Sequence, residues 1–208
     1  MTLDRFRPLA DRAVTPFVNA SARFGVTPDA VSVFAFLLAG AAGGAFYLGG
    51  GGGTGAAEPL WYLAGALFVF CNGWLDLLDG ALARRLGTDS RAGDLLDHVL
   101  DRYADILMIV GLAAGVDRYP LGLAAITGVL MTSYLGTQGQ AVGLDRVYGG
   151  LLGRADRLVL IGLIGLVAVF VTDPLAGLTP VGWLLVVFAV VGHFTAIQRF
   201  VGAYQALS

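Results

Sequence analysis

The sequence contains no lysine; all 13 of its basic residues are arginine. It has one cysteine, Cys71, which excludes an internal disulfide framework. Charged residues make up 13% of the 208, against the roughly 25% usual in soluble domains. That shortage excludes an ordinary water-facing surface. A formal net charge of −2 excludes the basic footprint of a nucleic-acid binder. The opening stretch, "MTLDRFRPLADRAV", lacks the apolar core of a secretory signal. What is abundant is hydrocarbon: 57% of residues are hydrophobic, and the mean hydropathy is +0.76. The composition predicts an integral membrane protein with a single domain over residues 1–208.

A membrane-spanning helix needs about 20 mostly apolar residues. Six windows qualify, roughly 30–49, 60–82, 94–116, 120–142, 157–173 and 180–202, the fifth of them short. Turn-forming stretches separate them, among them "GGGGGTGAAEP", "DRYP" and "TDPLAGLTP". The expected fold is therefore all-α, with six transmembrane helices in a bundle over 27–208. Residues 1–26 precede it. There Leu3, Phe6, Leu9, Ala10, Ala13, Phe17 and Phe24 fall near helical spacing among Arg5, Arg7, Arg12 and Arg23. This pattern predicts an N-terminal amphipathic interfacial helix, broken at Pro8 and Pro16. With six spans, eleven of the 13 arginines fall on one side and only Arg118 on the other, while Arg102 lies inside the third span. The positive-inside bias then puts both termini on the cytoplasmic side of the cell membrane.

One stretch resists the lipid reading. "DLLDGALARRLGTDSRAGDLLDHVLD", from Asp76 to Asp101, holds six aspartates where the second span ends and the third begins. Asp76 and Asp79 are three residues apart on one helical face; Asp97 and Asp101 are four apart on another. A short link makes the two helices antiparallel neighbours, so the pairs can converge near the cytoplasmic surface. Four converging carboxylates require cations, and oxygen ligands suit Mg2+ or Mn2+. Two such ions about 4 Å apart would clamp a phosphoryl group in transfer. Arg84 and Arg91 are placed to hold phosphate oxygens, and Gly80 and Gly93 permit close approach of backbone to ligand. Asp94 is a candidate cap of the third helix, Asp105 an extension of its polar face, and Asn72 a contact to the site or to a neighbouring helix.

The stretch fits D-x2-D-G-x2-A-R-x8-G-x3-D-x3-D at every fixed position, and so resembles the CDP-alcohol phosphatidyltransferase family. The resemblance implies an enzyme of phospholipid biosynthesis. An alcohol hydroxyl attacks the lipid-bearing phosphate of CDP-diacylglycerol or CDP-archaeol, releasing CMP. It implies that Asp76, Asp79 and Asp97 ligate two divalent ions, and that Asp101 is the catalytic base and a further metal ligand. Gly80, Ala83, Arg84 and Gly93 match positions of the CDP-lipid pocket. A homodimer is implied as well.

The acceptor side is read from "SYLGTQGQAVG" and "GRADRL". Members of the family that use inositol phosphate carry a basic pair and an acid where this chain has Gly136, Gln138 and Gln140. That departure counts against inositol phosphate in particular. Arg154 and Arg157 do match the family's basic start of the fifth span. With Arg91 they are the candidate residues for a phosphorylated polyol such as glycerol phosphate or inositol phosphate. The alternative class is an ion- or proton-coupled transporter using the carboxylates, but such proteins place acids near mid-membrane on broken helices. Replacing Asp76, Asp79 or Asp97 by Ala is expected to abolish CMP release through loss of metal. Retained activity with normal metal dependence, measured with a CDP-lipid donor, contradicts that ligand set.

Overall fold

A computed structural model of the chain describes residues 7–52, 55–88, 90–144 and 151–208. Leu3, Arg5 and Phe6 of the amphipathic pattern, with Asp89 and Arg146, lie outside the described residues. Among those described there are seven α-helices and no strand: α1 (Arg7–Arg23), α2 (Pro28–Gly49), α3 (Leu60–Leu86), α4 (Arg91–Gly115), α5 (Tyr119–Ala141), α6 (Arg154–Phe170) and α7 (Pro180–Leu207). The six apolar windows correspond to α2–α7. Four helices, α2, α3, α5 and α7, are long and apolar enough to cross a membrane. The other two fall short for different reasons. α4 carries Asp94, Asp97, Asp101, Arg102 and Asp105 within its first fifteen residues. α6 has 17 residues, or about 26 Å of helix against about 30 Å of hydrocarbon.

Local chemistry sets the helix ends. Thr27 caps α2 and Thr179 caps α7, each before a proline in the first turn. α3 stops at Gly87, whose φ of 64° is left-handed and suits glycine. Ser90 caps α4, accepting from the Gly93 N–H at 3.0 Å. The cap is therefore Ser90 and not Asp94, which lies in the first turn. Gly93 likewise falls inside the helix instead of ahead of it. Of the two expected breaks, the one at Pro16 is absent, because α1 runs through it; Pro8 lies in the first turn of the helix. Pro16 removes one backbone hydrogen bond, and tertiary packing compensates. Val14 and Val18 are buried against Leu78 and Leu82 of α3, and Phe17 meets Trp74 edge-to-face at 5.6 Å.

α2 lies against both α3 and α4, α6 packs on α3, and α5 pairs with α7. Two glycine crossings permit this closeness. A Cβ on Gly111 of α4 would stand 2.1 Å from the Gly43 carbonyl oxygen of α2. A Cβ on Gly192 of α7 would stand 2.9 Å from the Gly128 carbonyl carbon of α5. Such backbone-to-backbone contact is a main source of helix association in lipid. Buried polar groups fasten neighbouring helices as well: Asn72 of α3 donates to the Ala35 carbonyl of α2 at 2.8 Å, and Arg199 of α7 to that of Thr132 of α5 at 2.6 Å. Large apolar side chains such as Phe34, Leu37, Phe70, Leu123, Phe170 and Val190 are more than half exposed, as a surface solvated by lipid requires. Gly111→Ala is expected to lower the thermal midpoint in detergent markedly, whereas Gly44→Ala, whose Cβ meets nothing within 4 Å, is expected to leave it unchanged or slightly raised. Equal midpoints for the two variants contradict the α2–α4 crossing.

Candidate active site

The site forms where α3 and α4 run antiparallel. Twenty residues counted from Leu60 along α3 reach Asp79, and twenty counted back from Gly115 along α4 reach Leu96. A hydrocarbon layer of about 30 Å therefore ends near the aspartates. On that placement the carboxylates fall toward one end of α3 and α4, not at their middle.

One oxygen from each of Asp76, Asp97 and Asp101 lies within 4.8 Å of the others. At about 4 Å and an effective dielectric near 20, each like-charged pair repels by roughly 4 kcal/mol. The compensating charge comes from α6. Arg154 directs Nη1 to Asp76 at 2.5 Å and Nη2 to Asp101 at 2.6 Å, so one guanidinium fork joins α3 to α4. Arg102 adds a longer contact to Asp101 at 3.5 Å, and His98 lies 3.8 Å from Asp97. Arg154 holds this place because α6 begins with it: the Asp156 carboxylate accepts the Gly153 N–H at 3.0 Å and fixes the first turn.

Asp79 faces the same cavity but turns to α2, where the Ser32 hydroxyl donates to it at 2.7 Å. The cavity lined by Ser32, Asn72, Asp76, Asp79, Asp97, Asp101 and Arg154 measures about 10 Å³, roughly one water. Three of the four expected ligands thus converge, and the fourth completes the wall. One turn deeper, Arg157 of α6 pairs with Asp105 of α4 at 2.6 Å, both all but fully buried. The Asp105 Oδ1 and Arg157 Nε atoms are buried without a hydrogen-bond partner.

The remaining predicted residues surround this centre. Gly80, Ala83 and Arg84 continue along α3, with Arg84 folded back so that a Cβ on Gly80 would meet its Nη1 at 3.4 Å. Gly93 stands across from Asp29, the first-turn acid of α2, at 3.5 Å by the same measure. Arg91 opens α4 and is exposed. The three arginines expected at the acceptor occupy three settings: Arg154 within the carboxylate cluster, Arg157 sealed against Asp105, and Arg91 in solvent. Of the positions that depart from the inositol-phosphate pattern, Gly136 is buried and Gln140 exposed. Ser32 was not foreseen, since its partner is 47 residues away and nothing local marks it.

From Asp76 and Arg154 an apolar groove of about 550 Å³ descends between α3 and α6, walled by residues including Leu67, Phe70, Gly73, Leu158, Gly162 and Leu163. A second cavity, about 620 Å³, lies at the opposite end of α2 and α3 beside the glycine-rich turn and has Asp117 as its one charged lining residue. Acidic and guanidinium groups beside a lipid-sized groove describe a membrane enzyme acting on a polar head carried by apolar chains.

Residues 25–195 match the CDP-alcohol phosphatidyltransferase family, and the chain belongs to it. It is 31% identical over 210 residues to the archaetidylinositol phosphate synthase of Methanothermobacter thermautotrophicus, covering 99% of this chain and 95% of that one. It is also similar to two crystal structures of the Mycobacterium tuberculosis phosphatidylinositol phosphate synthase. The structure with CDP-DAG bound is 27% identical with a TM-score of 0.76, covering 93% of this chain and 94% of that one. The structure in complex with manganese and citrate is 27% identical with a TM-score of 0.76, covering 92% and 88%. Family membership sets aside the transporter alternative.

Asp105→Ala strands the Arg157 charge in the interior, and a buried pair broken on one side costs about 3–5 kcal/mol. The thermal midpoint in detergent is expected to fall steeply. The double replacement Asp105→Leu with Arg157→Met is expected to recover most of it, and a double variant no better than the single one contradicts a closed pair.

Proposed function

We propose that this chain synthesises a phosphoinositide-type phospholipid: it transfers the lipid-bearing phosphate of a CDP-linked lipid to inositol phosphate and releases CMP. The observation that carries the reading is the convergence of Asp76, Asp97 and Asp101, within 4.8 Å, at the head of the α3–α6 groove. The similarity to inositol-phosphate-using synthases brings that acceptor ahead of glycerol phosphate, despite Gly136, Gln138 and Gln140.

The donor set fits Mg2+ or Mn2+: hard carboxylate oxygens, closely grouped, already drawing a cationic side chain between them. Asp76, Asp97 and Asp101 would hold the ions, with Asp79 as a fourth oxygen donor in the same wall. When bound, they neutralise charge on the phosphates and on the departing CMP. The groove holds the lipid chains, which keeps the phosphate at the level of Asp76. Gly80, Ala83, Arg84 and Gly93 receive the CDP portion, and the first turn of α4 offers backbone N–H groups to anionic oxygens. The acceptor oxygen forms a bond to the lipid-bearing phosphorus while the bond from that phosphorus to the CMP oxygen breaks, CMP taking the electron pair. Asp101 takes the hydroxyl proton. Arg91 stands at the open side for the acceptor phosphate, while Arg154, also expected there, is engaged by Asp76 and Asp101. Arg157 contributes by holding α6 against α4, since its guanidinium is committed to Asp105.

The same reading takes α2–α7 as six spans of one domain, with α1 on the cytoplasmic surface and both termini on that side. The one-sided arginines and the amphipathic packing of α1 support it. The homodimer implied by the family is tested by light scattering in detergent.

Purified protein supplied with CDP-archaeol or CDP-diacylglycerol and Mn2+ is expected to release CMP with inositol phosphate, and not with glycerol phosphate, serine or free inositol. Asp101→Asn is expected to lower kcat by about 10²–10⁴-fold, the usual contribution of a general base. CMP release with none of the acceptors, or an unaltered Asp101→Asn enzyme, overturns the reading.

A further inference from the structure

Arg154 is bonded to two of the carboxylates that the proposed function assigns to the ions, and it also lines the groove assigned to the lipid. One guanidinium thus has two candidate anionic partners. The first is the Asp76–Asp101 pair. The second is the phosphate of a lipid seated in the groove, whose polar end must come to rest beside Asp76. We infer that Arg154 is an exchangeable counter-ion: a divalent ion displaces it from Asp76 and Asp101, and it then closes on the phosphate of the donor, so that ion binding and donor binding favour each other.

Three features on this chain carry the inference, which rests on the proposed function. First, space and oxygens are shared. The bonds at 2.5 and 2.6 Å engage one oxygen of each aspartate, and the cavity beside them measures about 10 Å³. The guanidinium and an ion ligated by those same oxygens exclude one another. Second, Arg154 is the first residue of α6, where the helix dipole opposes a cation, so it is held there by the carboxylates and is free to leave when they are satisfied otherwise. Third, its departure does not loosen the bundle. Three residues on, Arg157 remains bonded to Asp105 at 2.6 Å in a sealed pair, and α6 remains packed on α3. Two arginines on one helix face two aspartates on α4, one pair partly open to the groove and the other closed. The closed pair fixes the helix while the open one exchanges partners.

Sites coupled in this way show reciprocal affinities. Mn2+ binding is measured by electron paramagnetic resonance on the full chain in detergent, with and without CDP-diacylglycerol. Wild type is expected to bind Mn2+ about 10-fold more tightly when the lipid is present. Arg154→Met is expected to bind Mn2+ about 10-fold more tightly than wild type without lipid, and to lose the further gain on adding it. Removing a nearby positive charge would by itself raise Mn2+ affinity, so the loss of coupling is the decisive readout. Arg154→Lys, which keeps the charge but not the fork, is expected to retain part of the coupling and serves if the Met variant does not fold. Coupling in Arg154→Met or Arg154→Lys equal to that of wild type overturns the inference. If wild type shows no saturable Mn2+ binding, or Asp97→Asn binds it equally well, the metal reading itself fails.

Discussion

Like charges held close together beside a low-dielectric medium must be compensated, and the structure is organised around one such case. Asp76, Asp97 and Asp101 are brought together by the antiparallel run of α3 and α4. Their repulsion would part these helices unless a cation stood between them. Arg154 supplies that charge from a third helix, and the buried Arg157–Asp105 pair ties the same helix down one turn deeper. The architecture follows from this arrangement. α2 must lie close enough to give Asp79 the Ser32 hydroxyl, which the Gly43–Gly111 crossing makes possible from the α4 side. α6 packs on α3 and leaves a groove between them, with Arg154 of its first turn at the head of that groove.

The chemistry was more legible than the bonding. Fixed spacing on a helix is a local property, so the two aspartate pairs and their shared faces could be read from residues 76–101. The six apolar windows and their turns were readable for the same reason, and each corresponds to a helix. Partner choice is not local. Nothing near Arg154 or Arg157 tells which aspartate of α4 each will meet, and both were expected to serve the acceptor. Geometry gives Arg157 to Asp105 and Arg154 to the cluster, because residues three apart at the start of α6 face residues four apart on α4. Ser32 escaped notice because a serine in an apolar span carries no signal until its neighbour across the bundle is known.

Some differences reflect competition between local rules. Asp94 and Ser90 can both cap a helix; Ser90 does so, and the helix gains a turn that takes in Gly93. Pro16 opposes a continuous α1, yet burial of Val14 and Val18 on α3 outweighs the one hydrogen bond lost. α4 presents the converse. Its polar first half lowers its apolar character, although it is flanked by helices of full spanning quality. The aspartates that α4 brings to the proposed site are the same residues that keep it below the hydropathy of a spanning helix.

The groove between α3 and α6 has a kinetic consequence. Its rims carry exposed side chains, Leu67, Phe70 and Leu163, so it opens sideways toward lipid as well as toward the carboxylates. A substrate that enters by that route diffuses in two dimensions and never leaves the bilayer. The concentration it presents is a surface fraction, so diluting the donor with inert lipid slows encounter even when the bulk amount is fixed. Under the proposed function, the water-soluble partners would instead reach the carboxylates from the ends of α3 and α4. The protein is thus a meeting point of two phases: the rate of one half-journey is set by membrane composition, and that of the other by the aqueous side.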